Sequence, residues 1–149
     1  KFINFYVSKA WYICSKYYNH KMYSSILLID DDPIQNLINT KLINRINLTK
    51  NLIVATNGHE ANENFLSSNA SFPEVIFLDI NMPLMGGWEF LDLLSQDYND
   101  FKPRIFILTS SVSPDDISRS EKHGLVEGFI TKPLTISKIK FLQKDINPT

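Results

Sequence analysis

At 149 residues, with 44% hydrophobic and 21% charged side chains, the chain has the length of one domain and enough apolar volume for a core of its own. No stretch approaches the roughly 20 apolar residues needed to span a bilayer, so a membrane-embedded protein is excluded as a reading. A single cysteine, Cys14, rules out an internal disulfide framework and makes a reducing, cytoplasmic compartment the expectation.

The net charge of -1 hides an asymmetry that begins at the first residue. Residues 1–21 hold Lys1, Lys9, Lys16 and Lys21 and no acid. The remainder keeps 11 of the 15 basic residues against all 16 acidic ones, a formal -5. An acidic body argues against nucleic-acid binding, which needs clustered Lys and Arg to neutralise phosphates. Residues 1–23 read as an N-terminal extension, a peripheral helix or disordered. They lack the small-residue cleavage site of a secretory signal.

From Ser24 onward short apolar runs alternate with helical patterns. Ser25-Ile26-Leu27-Leu28-Ile29 is a β-type run stopped by Asp30, Asp31 and Asp32. Pro33 opens a helix, and Ile34, Leu37, Ile38 and Leu42 fall on one stripe, predicted to be its core face. Leu52-Ile53-Val54-Ala55 is the second strand, followed by a helix carrying Ala61, Phe65 and Leu66. Val75-Ile76-Phe77-Leu78 is the third and ends in Asp79; Phe90, Leu91, Leu94 and Tyr98 follow at helical spacing. Ile105-Phe106-Ile107-Leu108 is the fourth and ends in Thr109. Ser113-Pro114-Asp115-Asp116 then reads as a helix start, with Ser113 as the cap, leading into a helix whose one large apolar residue is Ile117. Gly128-Phe129-Ile130-Thr131 is the fifth, ending at Lys132-Pro133, and a last helix turns Ile136, Ile139 and Leu142 inward. Five β-α repeats with non-alternating apolar strands predict a doubly wound, five-stranded parallel sheet, an α/β three-layer sandwich of flavodoxin-like (βα)5 type over residues 24–146, with a tail at 147–149.

The site of such a sheet lies beyond the carboxyl ends of its strands. Those ends deliver Asp30, Asp31 and Asp32, then Asp79, Thr109 and Lys132. Several carboxylates within a few ångströms repel one another and call for a counter-charge. Mg²⁺, a hard cation that takes oxygen ligands, suits the need. Carboxylate, divalent metal, ammonium and hydroxyl together make a phosphoryl-transfer site. Pro83 with Gly86 and Gly87 is expected to turn the backbone tightly after Asp79. Met82 and Met85 read as loop and core packing, and His20, His59 and His123 as ordinary residues, since none ends a strand.

At this point the residues resemble the receiver domain of two-component response regulators, of the stand-alone, chemotaxis-receiver kind. Ile29-Asp30-Asp31-Asp32-Pro33 is similar to that family's acidic pair, and Leu78-Asp79-Ile80-Asn81-Met82-Pro83 with Gly86-Gly87 to its phosphoacceptor loop. Thr109-Ser110 and Lys132-Pro133 are similar to its hydroxyl and lysine positions. The resemblance implies that Asp79 accepts a phosphoryl group from a histidine of a histidine kinase or histidine phosphotransfer protein, and that the site binds Mg²⁺. Of the metal-site residues it makes Asp31 the direct ligand, has Asp30 act largely through water, and places Asp79 and the Asn81 carbonyl at the metal as well. A cis peptide between Lys132 and Pro133 and a switch pair of Thr109 and Phe129 are implied as well. Asp32 falls one position outside the family pair and is expected either to support the site from behind the metal ligands or to face solvent. Membrane and nucleic-acid partners are not expected, nor is turnover as an enzyme. A chain starting at Met22 is expected to fold and accept phosphate, which soluble expression and acceptor assays would check.

Two other functions fit the same elements less well. An aspartyl-phosphate phosphatase of the haloacid-dehalogenase kind wants a second Asp two residues after the nucleophile, where this chain has Asn81. A pseudo-receiver, an interaction module without the chemistry, would have lost the acceptor or an acid, and here each is present. A dinucleotide-binding domain is excluded because Asp-Asp-Asp-Pro, not a Gly-rich turn, follows the first strand.

Overall fold

A computed structural model describes residues 21–67, 72–97 and 102–144. The expectations for residues 1–20, Cys14, His20, Tyr98 and the tail lie outside the described residues. The chain runs β1 (Ile26–Ile29), α1 (Pro33–Arg45), β2 (Leu52–Ala55), α2 (Gly58–Ser67), β3 (Val75–Leu78), α3 (Gly87–Asp97), β4 (Arg104–Thr109), α4 (Pro114–Lys122), β5 (Val126–Thr131) and α5 (Ile136–Lys144). The sheet is parallel throughout, in the order β2-β1-β3-β4-β5. It is the doubly wound sandwich that the strand pattern predicts.

β1 and β3 are buried at every position because they lie at the centre with helices on both faces. Alternation along the strands sends Ile26, Leu28, Phe77 and Phe106 to one core, where Ile43 of α1 and Ile139 of α5 meet them. Leu27, Ile29, Ile76 and Ile105 go to the other, against Ala61 of α2 and Phe90 and Leu91 of α3. Each such side chain contributes about 1.5 to 3 kcal/mol on burial, so these two layers hold the sheet between its helices. Tyr23, just ahead of β1, is also buried, and its N–H donates to the Leu48 carbonyl at 2.8 Å. The helix–sheet packing leaves no helix among the described residues long and apolar enough to cross a membrane.

The face of α1 differs from its sequence pattern. Ile34 is 66% and Leu37 54% exposed, and Ile38 also faces solvent; Asn36, Asn39 and Ile43 are the buried residues. Three local bonds fix this phase. The Asp32 carboxylate accepts from the Ile34 and Gln35 amides as the helix cap, and the Asn36 side-chain amide donates to the Asp30 carbonyl at 2.7 Å. The third aspartate thus serves as the helix cap, partly exposed, while its own N–H donates to Asp30 Oδ1. Asn39 is 0% exposed, and neither its oxygen nor its nitrogen has a partner among the described residues. Because burying unpaired polar atoms costs free energy, Asn39→Leu should raise stability by about 1 to 2 kcal/mol in chemical denaturation. A lower midpoint would show that the amide is satisfied in solution.

Two other local features add to the sequence reading. Ser113 takes the extended cap conformation before α4, but its hydroxyl makes no capping bond. At the start of β5, Ile105 pairs with Val126 while Phe106 pairs with Gly128, so Glu127 is an inserted bulge residue. The bulge turns Glu127 to the Arg104 guanidinium, which also donates to Tyr23 Oη at 3.0 Å and to the Leu142 carbonyl at 3.2 Å. The pairing with Glu127, aided by Tyr23, raises the Arg104 pKa further above its ordinary value although burial opposes it.

Candidate functional site

The carboxyl ends of β1 and β3 sit side by side in register, Ile29 beside Leu78, so the residues that follow them emerge together. Asp30 and Asp79 are both buried, and Asp31 is exposed. One carboxylate oxygen from each of the three lies within 4.8 Å of the others. Lys132, delivered by β5, closes the group from the far side: its Nζ is 2.7 Å from Asp30 Oδ2 and 2.6 Å from Asp79 Oδ2. Its backbone N–H donates to the Thr109 carbonyl at 2.9 Å, and the Lys132-Pro133 peptide is cis.

The electrostatics follow from burial against pairing. Burial pushes the Asp30 carboxyl above its ordinary value; hydrogen bonds from Lys132 and the Asp32 amide offset part of that, and the Asp79 charge adds to it. Burial alone would lower the Lys132 ammonium, but its bonds to Asp30 and Asp79 outweigh burial and hold it above its ordinary value. The ammonium is therefore the resident counter-charge of two buried carboxylates. Three acids around one position supply hard oxygen donors and no sulfur or imidazole, a set that fits Mg²⁺.

The loop after Asp79 holds Pro83, Gly86 and Gly87, but its left-handed residue is none of these. No glycine of the described residues has positive φ; the left-handed residue is Leu84, at φ 69° and 84% exposed. Gly87 is required for a different reason. A Cβ there would stand 2.5 Å from the Asp79 carbonyl oxygen and 2.8 Å from Ile80 Cα, while its N–H donates to the Ile80 carbonyl at 3.2 Å. At Gly86 the nearest atom to such a Cβ is 3.4 Å away. Met82 and Met85 pack on the core beside Trp88, and the Met85 carbonyl accepts from Gly58, which ties the loop to α2.

Asn81 donates its backbone N–H to Asp79 Oδ1 at 3.1 Å and its side-chain amide to Thr109 Oγ1 at 3.5 Å. Thr109 is fully buried at the end of β4. Phe129 is partly buried, on the same face of β5 as Thr131 and in register with Ile107. Asp30, Asp31, Asp79, Asn81, Thr109 and Lys132 thus converge at one end of the sheet, and Phe129 stands three residues down β5. The Asn81–Thr109 bridge was not foreseen. An amide two residues after the central aspartate is the only sequence signal for it.

Comparison with known proteins agrees with this geometry. The response regulator receiver domain family matches residues 26–143. The sensor histidine kinase CheAY of Helicobacter pylori is 37% identical over 109 residues, covering 72% of this chain and 13% of that protein. The nitrate/nitrite response regulator NarL of Escherichia coli is 28% identical over 111 residues, covering 74% of this chain and 49% of that protein. The chain therefore spans half or less of these two relatives. A two-component response regulator of Cytophaga hutchinsonii superposes with TM-score 0.76 at 33% identity, covering 85% of this chain and 98% of that one. The matching family model spans most of the chain and the fold agrees with it, so the chain belongs to the response regulator receiver domains of two-component signalling.

Proposed function

We propose that Asp79 is the phosphoacceptor in a two-component phosphorelay, taking its phosphoryl group from a phosphohistidine of a histidine kinase or histidine phosphotransfer protein. The observation that carries this is Lys132 Nζ within 2.7 Å of both Asp30 and Asp79, a cation already seated where a phosphoryl group would bring further charge. An Asp79 carboxylate oxygen bonds to phosphorus as the phosphorus–nitrogen bond breaks, and the imidazole leaves as a neutral base after taking a proton. The product is an aspartyl phosphate. Mg²⁺ bound by Asp30, Asp31, Asp79 and the Asn81 carbonyl would supply positive charge to the phosphoryl oxygens. Lys132 holds one oxygen, and the Thr109 hydroxyl, which Asn81 ties to the same end of the sheet, turns toward another.

On this reading the chain is a signalling acceptor and not a turnover enzyme. The phosphoryl group adds nearly two negative charges. Thr109 then moves inward, Phe129 follows into the space it leaves, and the face of α4, β5 and α5 changes for a downstream partner. The test is intact-mass analysis after incubation with acetyl phosphate. A single labile adduct is expected in Mg²⁺, absent in EDTA and absent from Asp79→Asn. Equal labelling with and without Mg²⁺, or an adduct that survives Asp79→Asn, would overturn the reading.

A further inference from the structure

α4 is held in an unusual way for a helix on a sheet. Of its nine residues only Ser120 is buried, so apolar packing gives it little anchorage. A polar clasp to α3 takes that place. The Trp88 indole N–H donates to Asp116 Oδ1 at 3.4 Å, and the Arg119 guanidinium lies 4.4 Å from the centre of the Trp88 ring. Asp92, one turn further along α3, lies 3.8 Å from both Arg119 and His123.

The clasp is wired to the phosphoryl site through the loop before α4. The Ser111 backbone N–H donates to Thr109 Oγ1 at 3.2 Å. The Ser111 hydroxyl donates to Asp116 Oδ2 at 2.7 Å, and the Ser113 N–H donates back to Ser111 Oγ at 3.3 Å. Asp116 thus receives Ser111 on one oxygen and Trp88 on the other. A continuous set of hydrogen bonds runs from Asn81 and Thr109, through Ser111 and Asp116, to Trp88 on α3.

We propose that Asp116 is a positioning residue that reports the state of Thr109 to α4: it keeps the helix clasped to Trp88 while the Thr109 hydroxyl holds Ser111, and lets go when that hydroxyl turns away. The trigger rests on the phosphoacceptor reading; the coupling between Thr109 and Trp88 does not. When Thr109 turns toward a phosphoryl oxygen, the Ser111 amide loses its acceptor and the loop shifts. Asp116 then loses the bond that orients its carboxylate toward the indole. With so little apolar anchorage, α4 moves at small cost. Asp116 touches neither the acceptor nor the metal position, so its loss should leave acceptor chemistry intact.

The experiment reads Trp88 emission in a Trp11→Phe background, because the chain has two tryptophans, together with hydrogen exchange over residues 110–117. Thr109→Val and Asp116→Ala are each expected to shift the emission and raise exchange at least threefold. The double variant should match the single ones, because both cut the same chain. Asp116→Asn keeps an acceptor for the indole and a donor for Ser111 Oγ and should restore most of the parent emission. Additive shifts, or a Thr109→Val protein whose Trp88 emission equals the parent's, would overturn the proposal. Beryllofluoride separates the two readings. If it shifts Trp88 in the parent and not in Asp116→Ala, the proposal is supported; if it shifts both equally, the proposal fails. Should beryllofluoride not bind at all, the acceptor reading falls while the Thr109–Asp116 cycle still decides the coupling.

Discussion

Lys132→Met should cost the metal-free protein about 3 kcal/mol at neutral pH, the low end of the range for removing one member of a buried ion pair. The reason is what it leaves behind. Asp30 and Asp79 are both buried, and without the ammonium they face each other with no cation between them. Mg²⁺ should reverse much of the loss, since a divalent ion among the same oxygens takes over the neutralisation. Denaturation with and without Mg²⁺ therefore gives a sharp readout: the metal should stabilise the variant more than the parent. Equal stabilisation of the two would mean that Lys132 is not the resident counter-charge. The pH sign follows from the raised Lys132 pKa. Its contribution is fully present below the ordinary value of 10.5 and is lost as pH rises through the higher folded value. The variant should lack that alkaline loss.

Gly87→Ala should be the other severe change, and Gly86→Ala the mild one beside it. A methyl group at Gly87 would sit 2.5 Å from the carbonyl of Asp79 itself, and the neighbouring atom is backbone at the end of a central strand, which cannot swing aside. Overpacking of this sort costs about 1 to 3 kcal/mol, and the rigid neighbour places Gly87 at the upper end. On the proposed function the displaced residue, Asp79, is the acceptor, so adduct formation should fall together with the melting temperature. At Gly86 the nearest contact is 3.4 Å and the expected change is within about 0.5 kcal/mol. If the two alanines behave alike, the contact at Gly87 does not govern the loop.

These neighbouring glycines illustrate how far the sequence can be read. Strands and their acidic ends were legible because burial on both faces forces apolar runs, and a charge that ends such a run has few places to go. The convergence of Asp30, Asp79 and Lys132 followed from parallel topology alone. The phase of α1 was not legible. Ile34, Leu37 and Ile38 make the better apolar stripe, yet a cap at Asp32 and a bond from Asn36 to the Asp30 carbonyl turn them outward. Those bonds join the helix to the strand end and leave no periodic trace. The left-handed turn residue was hidden for a similar reason: Leu84 is nobody's first choice for positive φ, and glycine nearby drew the inference. Glu127 as a bulge and the Asn81–Thr109 bridge depend on pairing across strands, which one segment cannot report.

The Arg104 cluster has a mechanical consequence. At the amino end of the sheet one guanidinium joins β4 to the β5 bulge, to Tyr23 before β1 and to the last turn of α5. At the carboxyl end, β1, β3 and β5 are cross-linked by the Lys132 ammonium, whose bonds would have to rearrange if a phosphoryl group were added to Asp79 as proposed. The domain is accordingly bound like a book, stitched along one spine and held at the other margin by a removable clip. Breaking the clip would free the strand ends and the loops beyond them while the spine keeps its bonds, so on the proposed function one margin of the molecule could loosen without its unfolding.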